Sequence, residues 1–195
     1  MLCMRKVYIL YNNKYLIINN MNNYNDIMGR PLSGEEIYNS LLKKTKIVRY
    51  SELHNYDNLN QLMKPFNNIC LLYESRPGYG HWVCLILHKK DNIIEYFDPY
   101  GMFIDKPLDY VDKNYLIQSN QDFPYLSKLI NDSNYKVIYN KSKLQSKNED
   151  IATCGRHIIS RITLSDIPLY KYQKIINKNN KPDENVTILT SGLDL

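Results

Sequence analysis

A thiol attacks a carbonyl as its thiolate, so a nucleophilic cysteine needs a base, a positive local potential, or both. Cys154 is the cysteine placed for this, in Asp150-Ile151-Ala152-Thr153-Cys154-Gly155-Arg156-His157, where a polar loop turns into an expected helix. A helix N-terminus offers unpaired N–H groups and the positive end of the helix dipole, and both favour a thiolate. Gly155 lets a substrate backbone approach closely. The competing reading of Cys154 is a buried structural cysteine at a helix start. The base candidate is His81, in Tyr79-Gly80-His81-Trp82. A lone histidine where a strand begins also serves as an ordinary structural residue.

A hairpin supplies His81 with a partner. With Lys89-Lys90-Asp91-Asn92 as the turn, His88 opposes Ile93, and opposed residue numbers sum to 181. Asp98 then falls opposite Val83, on the sheet face of His81 and diagonal to it, where Cα atoms are roughly 7 Å apart. An aspartate–imidazole hydrogen bond there would fix the imidazole tautomer and stabilise the imidazolium. Asp98-Pro99-Tyr100-Gly101 also reads as a plain turn, and a one-residue slip would carry Asp98 to the wrong face. The other histidines compete poorly. His54 lies in a polar helical stretch and His88 beside the exposed turn. His157 follows Cys154 on the same helix, whose geometry points both side chains back along the axis and suits a base poorly. A metal set of Cys154, His157, Cys84 and His88 lacks the ligand spacing of known sites, so no metal is expected.

The elements that must position these residues are written in hydrophobic pattern. Val7–Tyr11 and Tyr15–Ile18, about an Asn12-Asn13-Lys14 turn, read as a hairpin in an N-terminal extension over 1–30. Ser33 followed by Glu36 predicts a capping box, with Ile37, Leu41 and Leu42 as the apolar stripe behind it. A second helical stretch falls within Ser51–Met63, carried by Leu53, Tyr56, Leu59 and Leu62 and ended by Pro65. Asn68–Tyr73 and Trp82–Leu87 are apolar on both faces, as central strands of a covered sheet are. Ile93–Phe97 is the returning strand. Tyr125–Ile130 reads as a helix, Lys136–Tyr139 as a strand, Thr153–Thr163 and Leu169–Ile176 as helices, and the chain beyond Asn177 as a polar tail. The expected class is α+β, a central mixed or antiparallel sheet flanked by helices. Internal repeats and domain-splitting linkers are absent, so residues 1–195 read as a single domain.

Composition sets the outer bounds. At 44% hydrophobic residues the chain has the makings of a globular core rather than of disorder. No apolar run approaches the length of a bilayer span, and Met1–Lys6 lacks the features of a signal peptide. Cys3, Cys70, Cys84 and Cys154 contain no CxxC pair, which reads as a reduced chain without a disulfide framework. The formal charge of +5 reads as a solvated lysine surface, with an acidic or nucleic-acid partner as the rival reading.

Gly80-His81-Trp82, Tyr96-Phe97-Asp98-Pro99-Tyr100-Gly101, Gln145 and Cys154-Gly155 together resemble the adenovirus maturation endopeptidase and the Ulp1-type SUMO proteases, and in particular the adenain-like thiol proteases of virophages and Polinton-type elements. The similarity covers about residues 68–165, the expected catalytic core, and its order of His, Asp, Gln, Cys differs from papain-like enzymes, where Cys comes first. The resemblance implies a Ulp1/adenain-like cysteine protease fold with His81 as general base, Asp98 as its orienting acid and Cys154 as nucleophile. Gln145 would donate its amide to the oxyanion, with the Cys154 backbone N–H as second donor. Trp82 would wall a narrow tunnel for glycine-like residues, with Gly80 and Gly155 beside the substrate; a core anchor at Trp82 suits the same position. Relatives hold the glutamine six or seven residues before the cysteine, whereas Gln145 stands nine before Cys154, and Asn148, six before, carries the same amide. The implied work is cleavage of capsid precursor proteins during maturation, in the virion and the viral factory of the host cytoplasm. No cofactor and no membrane partner are implied, and DNA is a weak associate. A SUMO- or ubiquitin-like isopeptidase keeps the chemistry and changes the substrate. A non-catalytic, basic, nucleic-acid-binding virion protein is the rival from another class.

Overall fold

The computed structural model describes residues 26–191, so the expected hairpin over Val7–Ile18 lies outside the described residues. Five strands form one mixed sheet in the order β1-β2-β3-β4-β5, namely β1 (Lys46–Arg49), β2 (Asn68–Arg76), β3 (Tyr79–His88), β4 (Ile93–Phe97) and β5 (Lys136–Tyr139). The inner strands β2, β3 and β4 run antiparallel as a meander, while β1 and β5 lie parallel to their neighbours at the two edges. Side chains alternate between two cores, as a period of two requires. Ile69, Leu71 and Tyr73 of β2 join Val83, Leu85 and Leu87 of β3 in one core. Cys70, Leu72, Trp82, Cys84 and Ile86 join the other. Both faces are covered, which is why these runs read as apolar throughout.

The helices form where the sequence supplies caps and stripes. Helix α1 (Gly34–Ser40) opens with the expected capping box: Ser33 Oγ accepts from Glu36 N at 3.2 Å, and Ser33 N donates to the Glu36 carboxylate at 2.8 Å. Ile37 is fully buried behind it, but Leu42 is 75% exposed. The helix stops at Ser40 and Leu42 takes a left-handed backbone, so it never joins the stripe. The helical stretch expected over Ser51–Met63 is two pieces, a 3₁₀ turn (Tyr50–Asn55) and α2 (Leu59–Met63). Asn58 makes the break, because its side-chain oxygen accepts from Gln61 N at 2.9 Å and starts a new helix. Helices α3 (Lys113–Gln118), α4 (Tyr125–Asn131), α5 (Cys154–Thr163) and α6 (Leu169–Ile176) follow. The polar tail expected beyond Asn177 is instead helix α7 (Pro182–Thr190). Pro182 suits its first position, Asp183 and Glu184 complement the dipole in its first turn, and Val186 enters the second core.

One buried ion pair locks the helix of Cys154 to the strand that leads into Asp98. Arg161 of α5, fully buried, forks onto Glu95 of β4 with Nε–Oε1 at 2.5 Å and Nη2–Oε2 at 2.8 Å. Its remaining nitrogen, Nη1, donates to the carbonyls of Leu164 and Ile167 at 2.8 and 3.0 Å. His88 Nε2 sits 3.1 Å from the same carboxylate. Two elements distant in sequence thereby hold a fixed relation.

Candidate active site

β4 pairs with β3 from Ile93 opposite His88 to Phe97 opposite Cys84, so the register is the one in which opposed numbers sum to 181. The chain then turns away at Asp98, where Gly101 N donates to the Asp98 carbonyl at 2.8 Å and Gly101 takes φ 70. That backbone region favours glycine. Among the described residues, the first part of β3 pairs with β2 alone. His81 stands in the gap so left.

His81 Nε2 lies 2.8 Å from Asp98 Oδ1, and Asp98 is fully buried. Oδ1 also accepts from Tyr100 N at 2.7 Å. Asn140, just past β5, clamps the peptide of Asp98 from both sides: its Oδ1 accepts from Asp98 N at 2.9 Å and its Nδ2 donates to the Asp98 carbonyl at 2.6 Å. The Tyr100 ring stacks on the imidazole, with centroids 4.6 Å apart.

Cys154 is the first residue of α5 and is 7% exposed. Its thiol is close enough to the imidazole of His81 to interact with it electrostatically. Asp98 occupies Nε2, which leaves Nδ1 as the ring nitrogen available to the sulfur. Burial works against a charge on His81, but the Asp98 carboxylate and then Cys154 outweigh it and raise the pKa from 6.5 to about 10. The ring is therefore an imidazolium at neutral pH, and a cation beside sulfur is the setting that favours thiolate.

Gln145 is buried. Its Nε2 donates to the Ile151 carbonyl at 3.4 Å, while its Oε1 finds no partner among the described residues. The backbone N–H groups of Leu144 and Gln145 donate to the Pro99 carbonyl at 2.8 and 2.9 Å, which ties this loop to the turn of Asp98. Asn148 is exposed and spends its side-chain oxygen on Asp150 N at 3.2 Å. Of the two amides, only that of Gln145 is built into the interior. At the start of α5 the first intrahelical bond runs from His157 N to the Thr153 carbonyl at 3.0 Å. The N–H groups of Cys154, Gly155 and Arg156 are those a helix start leaves without an intrahelical acceptor. A sulfur paired with a cationic imidazole, beside helix-start donors, is an arrangement that can carry out acyl transfer.

No protein-family model matches the chain. The "Uncharacterized protein V9" of Sputnik virophage is 37% identical over 164 residues, covering 82% of this chain and 93% of that protein. The chain belongs to the family of virophage protein V9. Among solved structures, an ASFV protease is matched over 86% of this chain and 69% of its own, at 17% identity and a TM-score of 0.49. The C-terminal Ulp1 protease domain in complex with Smt3, the yeast ortholog of SUMO, is matched over 83% of this chain and 76% of its own, at 13% identity and a TM-score of 0.37.

In this V9-family chain His81 bonds to Asp98 and interacts with Cys154, and Trp82, Gly155 and Gly80 around them do mechanical work. Trp82 is buried, and its Nε1 donates to the Leu32 carbonyl at 3.0 Å, anchoring the segment that leads into α1. Gly155 faces that same segment, where a Cβ would come 3.0 Å from Leu32 Cβ, so the missing side chain lets α5 close on it. Gly80 lies against β2, where a Cβ would fall 1.9 Å from the Tyr73 carbonyl oxygen. Gly80→Ala is expected to force the strands apart beside His81 and to destabilise by about 1–3 kcal/mol. Urea denaturation checks this, and an unchanged midpoint would show that β3 tolerates the side chain. Asn140 and Asp183 carry no signal in the sequence that links them to the site. Among the described residues no helix is long and apolar enough to cross a membrane, and no cluster of three or more His, Cys, Asp or Glu side chains is arranged to hold a metal ion.

The charge on His81 gives a pH prediction. Its pKa is raised on folding, so the pair's contribution to stability is fully present below pH 6.5 and is lost as pH rises through about 10. Acyl transfer that needs the imidazolium has its alkaline limb in the same place. Asp98→Asn removes the main charge that raises the pKa and leaves only Cys154 to oppose burial, so the limb is expected to fall well below 10. A pH–rate profile of the two proteins measures the shift, and coincident alkaline limbs would contradict it.

Proposed function

We propose that this chain is a cysteine endopeptidase working through an acyl-enzyme, and that its task is to cleave viral capsid precursor proteins in the virion and in the viral factory of the host cytoplasm. The observation that carries the reading is the position of one imidazole, hydrogen-bonded to the buried Asp98 carboxylate at 2.8 Å and close enough to Cys154 to interact with its sulfur. Neither contact is needed to build a sheet. Both are needed to ionise a thiol and protonate a leaving group.

In this mechanism the Cys154 sulfur bonds to the scissile carbonyl carbon. The oxygen, now negative, takes hydrogen bonds from the Cys154 backbone N–H and the Gln145 amide, each donor worth roughly 3 kcal/mol in such sites. The C–N bond breaks as His81 gives its proton to the departing amine. Water, deprotonated by His81, then hydrolyses the thioester, which releases the acid and restores the thiol. Tyr100, stacked on the imidazole, and Asn140, gripping the Asp98 peptide, keep the ring in line. Gln145 Nε2 carries two N–H groups and spends one on the Ile151 carbonyl at 3.4 Å, which leaves the second for the oxyanion.

The substrate assignment rests on the motif resemblance and on membership of a virophage protein family. Mass spectrometry of virion proteins produced with active enzyme and with Cys154→Ala tests it. New N-termini in capsid proteins that appear only with active enzyme are expected. Intact precursors in both preparations, with cleavage of SUMO- or ubiquitin-like conjugates instead, would replace this substrate with a modifier.

A further inference from the structure

Helix α7, which the polar sequence beyond Asn177 conceals, brings a carboxylate into the frame of the site. Asp183 stands in the first turn of α7. Its Oδ2 accepts from Ser146 N at 2.9 Å, on the residue next to Gln145. Its Oδ1 accepts from the hydroxyl of Thr153, the residue next to Cys154, and from His157 Nε2 at 3.1 Å. His157 is fully buried one turn into α5. Burial lowers its pKa despite Asp183, so the ring is neutral and donates through Nε2. Burial pushes Asp183 up, yet the bonds from His157 and Thr153 outweigh it and hold the carboxyl below the ordinary value. An ionised carboxylate with these donors is a stiff joint.

We propose that Asp183 is a positioning residue for acyl transfer, holding the Gln145 loop and the first turn of α5 in one frame so that the side-chain amide and the Cys154 N–H converge. The two donors sit on different segments, and among the described residues, apart from Gln145 Nε2 on the Ile151 carbonyl at 3.4 Å, Asp183 is the side chain that grips both flanks. Asp183 makes no hydrogen bond to the Asp98–His81 pair, which lies on the β3–β4 side of the site and meets the Gln145 loop through the Pro99 carbonyl. Loss of Asp183 therefore disturbs stabilisation of the oxyanion more than formation of the thiolate. This inference rests on the acyl-enzyme reading above.

Two reagents separate these steps. Iodoacetamide alkylates a thiolate at a saturated carbon and forms no oxyanion, whereas N-acetylglycine p-nitrophenyl ester acylates the sulfur through a tetrahedral oxyanion and releases p-nitrophenolate. In Asp183→Ala, ester acylation is expected to fall roughly 10-fold or more while alkylation of Cys154 stays within about 2-fold of the parent. Asp183→Asn, which satisfies one flank and turns an N–H toward the other, should lie between. Unchanged acylation, or equal losses in both reactions alongside a lower melting temperature, would overturn the proposal. Should Asp183→Ala fail to fold, Thr153→Val decides, since it removes one grip only. Selective loss of acylation supports the role, and parent-like acylation rejects it. If the parent itself is acylated no faster than Cys154→Ala, the acyl-enzyme reading fails, whatever the Asp183 variants do.

Discussion

Cys154→Ala is expected to lower peptide and ester hydrolysis by roughly 10⁴-fold or more while the chain stays folded. The size of the loss follows from the chemistry: without the sulfur no covalent intermediate forms, and what remains is the electrostatic help of the donors to a water. The preserved fold follows from the packing. Cys154 contributes a small side chain to the second core, the cluster that also holds Leu32, Ile37 and Ile158, and alanine keeps the helix start in place. His81→Ala should show a loss of the same order, because the thiol then lacks both base and counter-charge. The two losses should not add in the double variant, since both residues act in one step. Circular dichroism and initial rates on the same samples measure both halves. Activity near the parent level in Cys154→Ala would remove the nucleophile from the account.

The second large effect concerns folding. Arg161→Ala is expected to destabilise the chain by about 3–5 kcal/mol, because it leaves the Glu95 carboxylate buried without its counter-charge. A domain of this kind has only about 5–15 kcal/mol in total, so the variant should melt far below the parent or fail to accumulate. Glu95→Gln should be costly as well, since it strands a buried guanidinium that still holds the Leu164 and Ile167 carbonyls. Replacing both together, as Glu95→Leu with Arg161→Met, should recover much of the loss, as buried pairs exchanged for apolar residues often do. Urea midpoints for the singles and the double form a cycle that measures the coupling. Additive single losses would show that the two side chains do not act as a pair.

The centre of the fold was legible because few decisions fixed much of it. Asn68–Tyr73, Trp82–Leu87 and Ile93–Phe97 announce themselves as apolar runs, and placing one turn at Lys89–Asn92 sets every cross-strand pair. The same placement brings Asp98 within reach of His81, which is why two residues 17 apart in sequence can be assigned as partners before any coordinates. The helix start at Thr153–Cys154 is equally local, a polar loop meeting an apolar stripe. What the sequence concealed is of another kind. β1 has four residues and α3 six, too short for a period to stand out. Arg161 looks like any helix arginine until the tertiary fold buries it on Glu95. Asn140 and Asp183 act through partners more than 20 residues away, at Asp98, Ser146, Thr153 and His157, so no window of sequence contains both ends of the bond. The unusual step from Gln145 to Cys154 is absorbed by a turn, with Ile151 N on the Asn148 carbonyl at 3.0 Å and Ala152 N tied to the Met28 carbonyl at 2.7 Å. Trp82 and the glycines were visible as special positions, but their contacts within the fold, to Leu32 and to the β2 backbone, depend on packing that spacing does not encode.

The most direct trial of the central claim is to catch the covalent intermediate. The folded protein is mixed at pH 7 with N-acetylglycine p-nitrophenyl ester, quenched in acid within the burst, and its mass and peptide map are recorded. One acetylglycyl group on Cys154, and on no other cysteine, is the predicted result, with the adduct lost on longer incubation and absent from His81→Ala. An unmodified Cys154, or acyl groups spread over Cys70 and Cys84 at comparable rates, would contradict the claim that this imidazole and this sulfur work as one unit.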